Sequence, residues 1–289
     1  MSVDTGNDKV LPLLDWNRFE TQLPQLSSRF QTASPFPHIV IDDFLDPETA
    51  VLAMKESANV ADVGWTSFAH LNERKLSHTK PERWGPTLQA VLRELQSPRF
   101  VQFLGSLSGI EGLLADDSLA GGGLHQSQSG GFLNIHADFT VHPRQRNWQR
   151  QVNLLLYLNE EWPPGYGGGL ELWSTDMQRC ERVVAPIGNR VVIFRTSANS
   201  FHGHPEPLRC PEGTSRRSLA LYYFTEEDDP TVHATEYRAR PGESKTRAAL
   251  IYVDKKILRG YDWLRRRSKL RDETIGRMLA SIDRFRRRW

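Results

Sequence analysis

The chain has 289 residues, 38% of them hydrophobic and 25% charged, with a net charge of +2. That composition belongs to an ordinary globular protein large enough to bury one substantial core, and no apolar run approaches the roughly 20 residues a membrane span needs. Cys180 and Cys210 are too few for a disulfide framework and form no C-x-x-C pair. The opening Met-Ser-Val-Asp-Thr-Gly-Asn-Asp has neither the basic nor the apolar region of a secretory signal, so a reducing, cytoplasmic location is expected.

Residues 1–34 read as an N-terminal arm with a helix near Trp16–Phe30, punctuated by Pro35-Phe36-Pro37. His38–Phe44 is short and β-branched, hence a strand. Asp46-Pro47 is a helix start, with Asp46 as N-cap and Pro47 in the first helical position, and the helix should run to about Ala58. Gly64–Trp84 is irregular and polar and reads as loop. Leu88, Val91, Leu92 and Leu95 give helical spacing over Pro86–Leu95, and Pro98–Ile110 gives a second short helix. Gly121–Gly123 and Ser127–Gly131 read as loops around one strand; His125 and His142 are taken as loop residues.

From Phe132 to Phe224 the pattern turns to β. Over Gln151–Leu158, Val152, Leu154, Leu156 and Leu158 share a core face, opposed by the mixed set Gln151, Asn153, Leu155 and Tyr157, which suits a wet cavity. Leu170–Trp173, Val183–Ala185, Arg190–Phe194 and Ser215–Phe224 follow as strands. In the last, Leu219, Leu221 and Tyr223 oppose Arg216, Ser218, Ala220 and Tyr222. Six to eight short strands without intervening helices predict a sandwich or barrel, not a parallel α/β sheet.

After Glu226–Pro230 the sequence predicts a loop to about Lys245, a β/α mixture near Ala248–Val253 and a final helix. Asp272 caps that helix, and Ile275, Met278, Leu279, Ile282 and Phe285 form an apolar stripe. Lys255–Trp289 carries 13 Lys/Arg against four Asp/Glu, leaving about −7 for the rest of the chain. Such asymmetry invites a nucleic-acid or anionic-surface reading. The stripe, however, needs an apolar partner surface, which favours a structural or dimer-forming segment with no nucleic-acid or membrane partner.

The chemistry concentrates at His136-Ala137-Asp138 and, 64 residues on, at His202 in Ser-Phe-His-Gly-His. On an extended strand, residues two apart face the same way, so His136 and Asp138 reach one metal ion and a histidine from a neighbouring strand completes the set. Two imidazoles and one carboxylate leave open positions, the arrangement that suits non-haem Fe(II). Alone, an H-x-D pair is weak.

Its context is stronger. Gly-Gly-Phe-Leu-Asn-Ile-His136-Ala-Asp138, Asn-Leu-Leu-Leu-Tyr157-Leu-Asn, Gly-Gly-Gly-Leu-Glu-Leu-Trp, Pro-Ile-Gly-Asn-Arg-Val-Val-Ile-Phe, Phe-His202-Gly-His and Arg216-Arg-Ser-Leu-Ala-Leu-Tyr-Tyr-Phe occur in an order that resembles the Fe(II)/2-oxoglutarate-dependent dioxygenases, in particular the prolyl-4-hydroxylase-like branch. The lead-in Phe36-Pro-His-Ile-Val-Ile-Asp-Asp-Phe is similar to that branch as well. The resemblance implies a mainly β protein with flanking helices around a double-stranded β-helix, a jelly-roll or cupin-like core. It divides the chain into an N-terminal buttress (1–119), a catalytic core (120–226) and a C-terminal extension (227–289). It implies His136, Asp138 and His202 as Fe(II) ligands, with dioxygen as co-reactant, and a basic residue on the last strand holding the distal carboxylate of 2-oxoglutarate.

Two arginines compete for that role. Arg216 is favoured because Ser218 and Ala220 on its face leave room, while Arg217, the alternative, shares a face with Leu219 and Leu221. Tyr157 corresponds to a tyrosine that helps hold the same carboxylate, and Asn153 shares its face. The interval from His202 to Arg216 is longer than usual in the family, so His204 stays an alternative to His202. A carboxylate at 138, where related halogenases carry a small residue, argues for hydroxylation or desaturation. Trp148, Arg150 and Trp173 are candidates to line a substrate pocket, with a small molecule favoured over a peptide. A cupin-like metal barrel without oxygenase activity and a nucleic-acid-modifying oxygenase are the competing readings.

Overall fold

A computed structural model describes residues 12–253. In chain order its elements are α1 (Trp16–Gln31), β1 (His38–Ile41), α2 (Pro47–Ala58), β2 (Thr66–His70), β3 (Glu73–His78), α3 (Pro86–Leu95) and α4 (Pro98–Ser108). They continue with β4 (Leu114–Ala115), β5 (Gly123–Gln128), β6 (Phe132–Ala137), β7 (Trp148–Tyr157), β8 (Leu170–Trp173) and β9 (Cys180–Val184). The last are β10 (Val191–Arg195), β11 (His202–His204), β12 (Ser215–Glu226) and β13 (Glu236–Tyr237). The strands form one antiparallel sheet ordered β1-β10-β7-β12-β5-β3-β6-β11-β8-β9, with β2 beside β3, β4 on β12 and β13 on β6. The sheet curls into a nearly closed barrel, the double-stranded β-helix core that the motif order implied.

Local chemistry sets the helix starts. Asp46 accepts from Glu48 N at 3.0 Å and Thr49 N at 3.4 Å with Pro47 behind it, and Asp15 accepts from Arg18 N at the head of α1. The alternation in β7 and β12 then separates two environments. Val152, Leu154, Leu156, Leu219, Leu221 and Tyr223 face outward and join Val191 and Ile193 against Phe19, Phe30, Phe44, Phe100 and Leu104 of the helical layer. Tyr223 is fully buried there and satisfies its hydroxyl on Leu95 O at 2.8 Å. Asn153, Tyr157, Arg216 and Ser218 are left facing the barrel interior, as the strand period demands.

Two predicted segments differ. Gly64–Trp84 is no loop but contains the hairpin β2–β3, with β3 seated in the sheet between β5 and β6. Its inward residues, Glu73, Lys75 and Ser77, are polar because they line a polar interior, so no hydrophobic alternation betrays the strand. Residues 245–253 are helical rather than a β/α mixture. The helix expected from Asp272 and the basic stretch Lys255–Trp289 lie outside the described residues. No helix among the described residues is long and apolar enough to cross a membrane.

Leu154 has no exposed surface and stands between Ile193 and Leu221 on the neighbouring strands. Leu154→Ala should cost roughly 2–5 kcal/mol of stability, read as a lowered denaturation midpoint with an unchanged slope.

Candidate metal centre

Strand β6 carries His136, and Asp138 follows one residue beyond its end. Strand β11 pairs antiparallel with β6 so that His202 stands directly opposite His136, their ring centroids 4.5 Å apart. His136 Nε2 is 3.5 Å from Asp138 Oδ1 and His202 Nε2 is 3.5 Å from Oδ2. All three donor atoms lie within 4.8 Å of one another, and this is the one such cluster among the described residues.

Each imidazole is oriented in the same way. Nδ1 of His136 is 2.9 Å from Asn134 O, and Nδ1 of His202 is 2.9 Å from Ser200 O. A backbone carbonyl there holds the proton on Nδ1 and turns the Nε2 lone pair toward Asp138. Burial, reinforced by His136 and opposed by Asp138, pushes His202 down to about 4, so it is uncharged at neutral pH as a metal ligand must be. Gly203 explains the His-Gly-His spacing, since a Cβ there would sit 2.7 Å from Leu133 O and 2.8 Å from Asn134 O. His204 also faces inward and is buried, but it stands opposite Leu133 across a bulge and outside the cluster.

Asp138 is held by two further side chains. Asn153 Nδ2 donates to its Oδ2 at 2.7 Å and Arg150 Nη2 at 3.2 Å. Arg150 also donates from Nε to Asn153 Oδ1 at 2.8 Å, and Thr196 Oγ1 donates to the same oxygen at 3.0 Å. The Arg150 guanidinium lies 3.3 Å over the Tyr222 ring and 4.7 Å over Phe139. Burial would raise the Asp138 carboxyl, but Arg150, then His202 and His136, outweigh it and hold it well below the usual carboxylate range.

Deeper in the interior, Arg216 is buried and has no carboxylate partner among the described residues. Its Nε donates to Gly168 O at 2.8 Å and its Nη2 to Tyr157 Oη at 3.2 Å. Tyr157 is fully buried, and burial pushes its phenol up, so a hydroxyl that accepts from Arg216 keeps its own proton to donate. Gly168 has φ +73°, and a Cβ on it would meet Leu208 at 2.5 Å and Arg216 Cδ at 3.0 Å, so glycine there clears the arginine stem. Arg217 faces away, half-buried, its backbone N–H bonded to Asn159 Oδ1.

The structure moves four of the candidate residues. Asn153, expected beside the cosubstrate, is committed to Asp138. Arg150, expected at the substrate mouth, is buried behind the same carboxylate. Trp173 points to the far side of the sheet because its neighbour Leu172 pairs with His202; it packs on Ile135, Met177 and Phe201. Trp148 packs on His142 and Phe224 at the very start of β7, two residues before Arg150. Sequence reasoning missed the interior residues of β2, β3 and β5. Glu73 lies between His70 and Lys75, and His125 lies on β5 rather than in a loop. Tyr237 of β13 stands 5.5 Å from the His136 ring. The polar alternation Glu73-x-Lys75-x-Ser77 was the available signal.

His125 Nε2 is buried without a partner, and burial first, then Lys75, brings its imidazole down to about 3 from an ordinary 6.5. An unfolded chain binds that proton more readily, so the stability tied to His125 is complete above pH 6.5 and is lost as the pH falls toward 3. By pH 5 the loss is about 2 kcal/mol. His125→Gln should reduce the drop in unfolding free energy between pH 7.5 and pH 5 by about that amount.

The 2OG-Fe(II) oxygenase superfamily model matches residues 122–224. Among solved structures, a Pseudomonas putida prolyl-4-hydroxylase superposes with a TM-score of 0.51 at 19% identity, over 70% of this chain and 100% of that one. A Trichoplax adhaerens prolyl hydroxylase, solved with a hypoxia inducible factor peptide fragment, gives 0.52 at 17% identity, over 72% of this chain and 91% of that one. No curated protein sequence matches. Residues 122–224 thus match the 2OG-Fe(II) oxygenase superfamily, oxidoreductases that use Fe(II), 2-oxoglutarate and dioxygen, and the barrel and the His-Asp-His cluster agree with that match.

Proposed function

We propose that the protein hydroxylates an unactivated C–H bond of a small molecule, with His136, Asp138 and His202 holding Fe(II) and Arg216 with Tyr157 anchoring 2-oxoglutarate. One observation carries the reading: a buried guanidinium without a carboxylate partner faces the same interior as a cluster of two imidazoles and a carboxylate. Buried His204 feels the charge of Arg216, of Lys75 and of His136. An unpaired buried cation is costly, and an anionic cosubstrate relieves it. A metal-binding barrel without a cosubstrate has no use for such an arginine.

The donor set fits the metal, since both Nε2 atoms and the Asp138 oxygens converge while the remaining directions stay free of protein ligands. It fits the cosubstrate as well, because Arg216 retains unspent N–H donors beside the Tyr157 hydroxyl. When bound, the metal and 2-oxoglutarate supply the oxidising power, the overall change being R–H + O2 + 2-oxoglutarate to R–OH + succinate + CO2. The chain's own part is positional. Asn134 O and Ser200 O fix the imidazoles, Asn153 and Arg150 fix the Asp138 carboxylate, and Arg216 with Tyr157 hold the far carboxylate in a fork. Asp138 keeps 13% side-chain exposure where the two histidines keep 6–7%, so approach is from its side, between partly exposed Phe139 and Tyr222 and hairpin β2–β3. An opening framed by single side chains supports a small substrate over an extended peptide.

His136→Ala and His202→Ala should each abolish Mn(II)-dependent binding of 2-oxoglutarate measured by calorimetry, while His204→Ala retains it. The reverse result for the two histidines of β11 would sink this ligand assignment. Arg216→Ala should weaken 2-oxoglutarate by about 3 kcal/mol, on the order of 100-fold, with Arg217→Ala near the native value. Succinate release against a panel of metabolites and proline-containing peptides tests the substrate class, and turnover of the peptides alone would overturn the small-molecule reading.

A further inference from the structure

Hairpin β2–β3 is the part of the barrel wall whose polar side chains serve neither the three-donor cluster nor Arg216. Its register puts Phe68 directly opposite Lys75, and His70 opposite Glu73. Glu73 Oε1 lies 2.9 Å from His70 Nε2 and Oε2 lies 2.9 Å from Lys75 Nζ. Lys75 also stands 5.6 Å from the Phe68 ring. Burial opposes it, but Glu73, with Tyr222 and Asp138, raises the Lys75 ammonium above the ordinary lysine range, and the register of β3 turns this side chain to the same interior face as Glu73. That side chain is 18% exposed.

Glu73 takes one of the three ammonium donors, and among the described residues no second protein oxygen takes another. A purely structural pair gains little from burial, because desolvation offsets the Coulomb attraction, and it would spend its remaining donors on nearby carbonyls. Here they stay unspent on a side chain that is still partly exposed. The charge balance points the same way. With Fe(II) and the 2-oxoglutarate dianion cancelling, the carboxylates Asp138 and Glu73 face three cations, Arg150, Arg216 and Lys75, which leaves one positive charge. Lys75 is the cation nearest solvent, since Arg150 and Arg216 are buried behind their partners.

We propose that the substrate is a small organic acid whose carboxylate is received by Lys75, with its apolar part against Phe68 and the rings of Phe139 and Tyr222. The proposal rests on the oxygenase reading, and its test separates the two. Calorimetry on the protein loaded with Mn(II) and 2-oxoglutarate would use 3-phenylpropanoate, cyclohexanecarboxylate and N-acetylproline, each beside its carboxamide. At least one acid should bind tenfold or more tightly than its amide, and Lys75→Met should erase that preference. Glu73→Gln removes the competing carboxylate and should hold or raise the affinity for the acid, an outcome a merely structural pair would not give. The double variant Glu73→Gln/Lys75→Met leaves no lone buried charge and should lose the preference while remaining folded. Acids binding no better than amides, no acid binding at all, a preference that survives Lys75→Met, or Glu73→Gln losing the acid as Lys75→Met does would each overturn the proposal. A fall in 2-oxoglutarate affinity on Lys75→Met would do so too, by assigning Lys75 to the cosubstrate. Failure of the native protein to bind 2-oxoglutarate with Mn(II) would instead overturn the oxygenase reading.

Discussion

Everything at the centre follows from one cross-strand pair, His136 directly opposite His202 in the β6–β11 ladder. In an antiparallel sheet, opposite residues share a face, so a single register choice aims both imidazoles inward and places them within 4.5 Å. A slip of one residue would send His202 to the outer face and bring Gly203 in. The glycine between the two histidines of β11 fixes that register by steric means, because only a residue without Cβ tolerates the carbonyls of Leu133 and Asn134. The bulge after it absorbs the mismatch further along the strand.

Around that pair the interior is organised by charge. Each cation has a distinct relation to an anion. Arg150 is closed against Asp138 and capped by aromatic rings, Lys75 is half-engaged by Glu73, and Arg216 has no acidic partner at all. Such a graded set is expensive in a low-dielectric interior, and it is sustained by the large apolar layer on the other face of β7, β10 and β12. The helices contribute no side chain to the three-donor cluster. They bury the outer surface that allows the inner one to be polar.

The sequence was legible wherever one face of an element is apolar. The helices Trp16–Gln31, Pro47–Ala58, Pro86–Leu95 and Pro98–Ser108, and the alternation of β7 and β12, could be read because water and core impose opposite demands on neighbouring residues. The same alternation separated Arg216 from Arg217. Legibility failed where both faces are mixed. The β2–β3 hairpin presents Glu73, Lys75 and Ser77 inward, a pattern that a period-two hydrophobic signal cannot register. Tryptophans misled for a related reason. Trp173 is adjacent to a residue paired with His202, and adjacency along a strand means the opposite face. Arg150 and Asn153 share the inward face with Tyr157, yet which anion each one meets depends on distance across the barrel, which spacing along one strand does not encode.

The strand order also carries a consequence for how such a chain assembles. His38 of β1 pairs with Phe194 of β10, and β3, although it forms a hairpin with β2, is also inserted between β5 and β6. β12 closes against both β5 and β7. During synthesis the first strand therefore waits, with its edge unsatisfied, until the tenth has left the ribosome, and the last long strand must arrive before the middle of the barrel closes. Contacts so distant in sequence impose large loop-closure entropies and slow, late consolidation. The nascent barrel passes through a stage in which strand edges are bare, the period when a chaperone or a charged flank protects it from pairing with a neighbour.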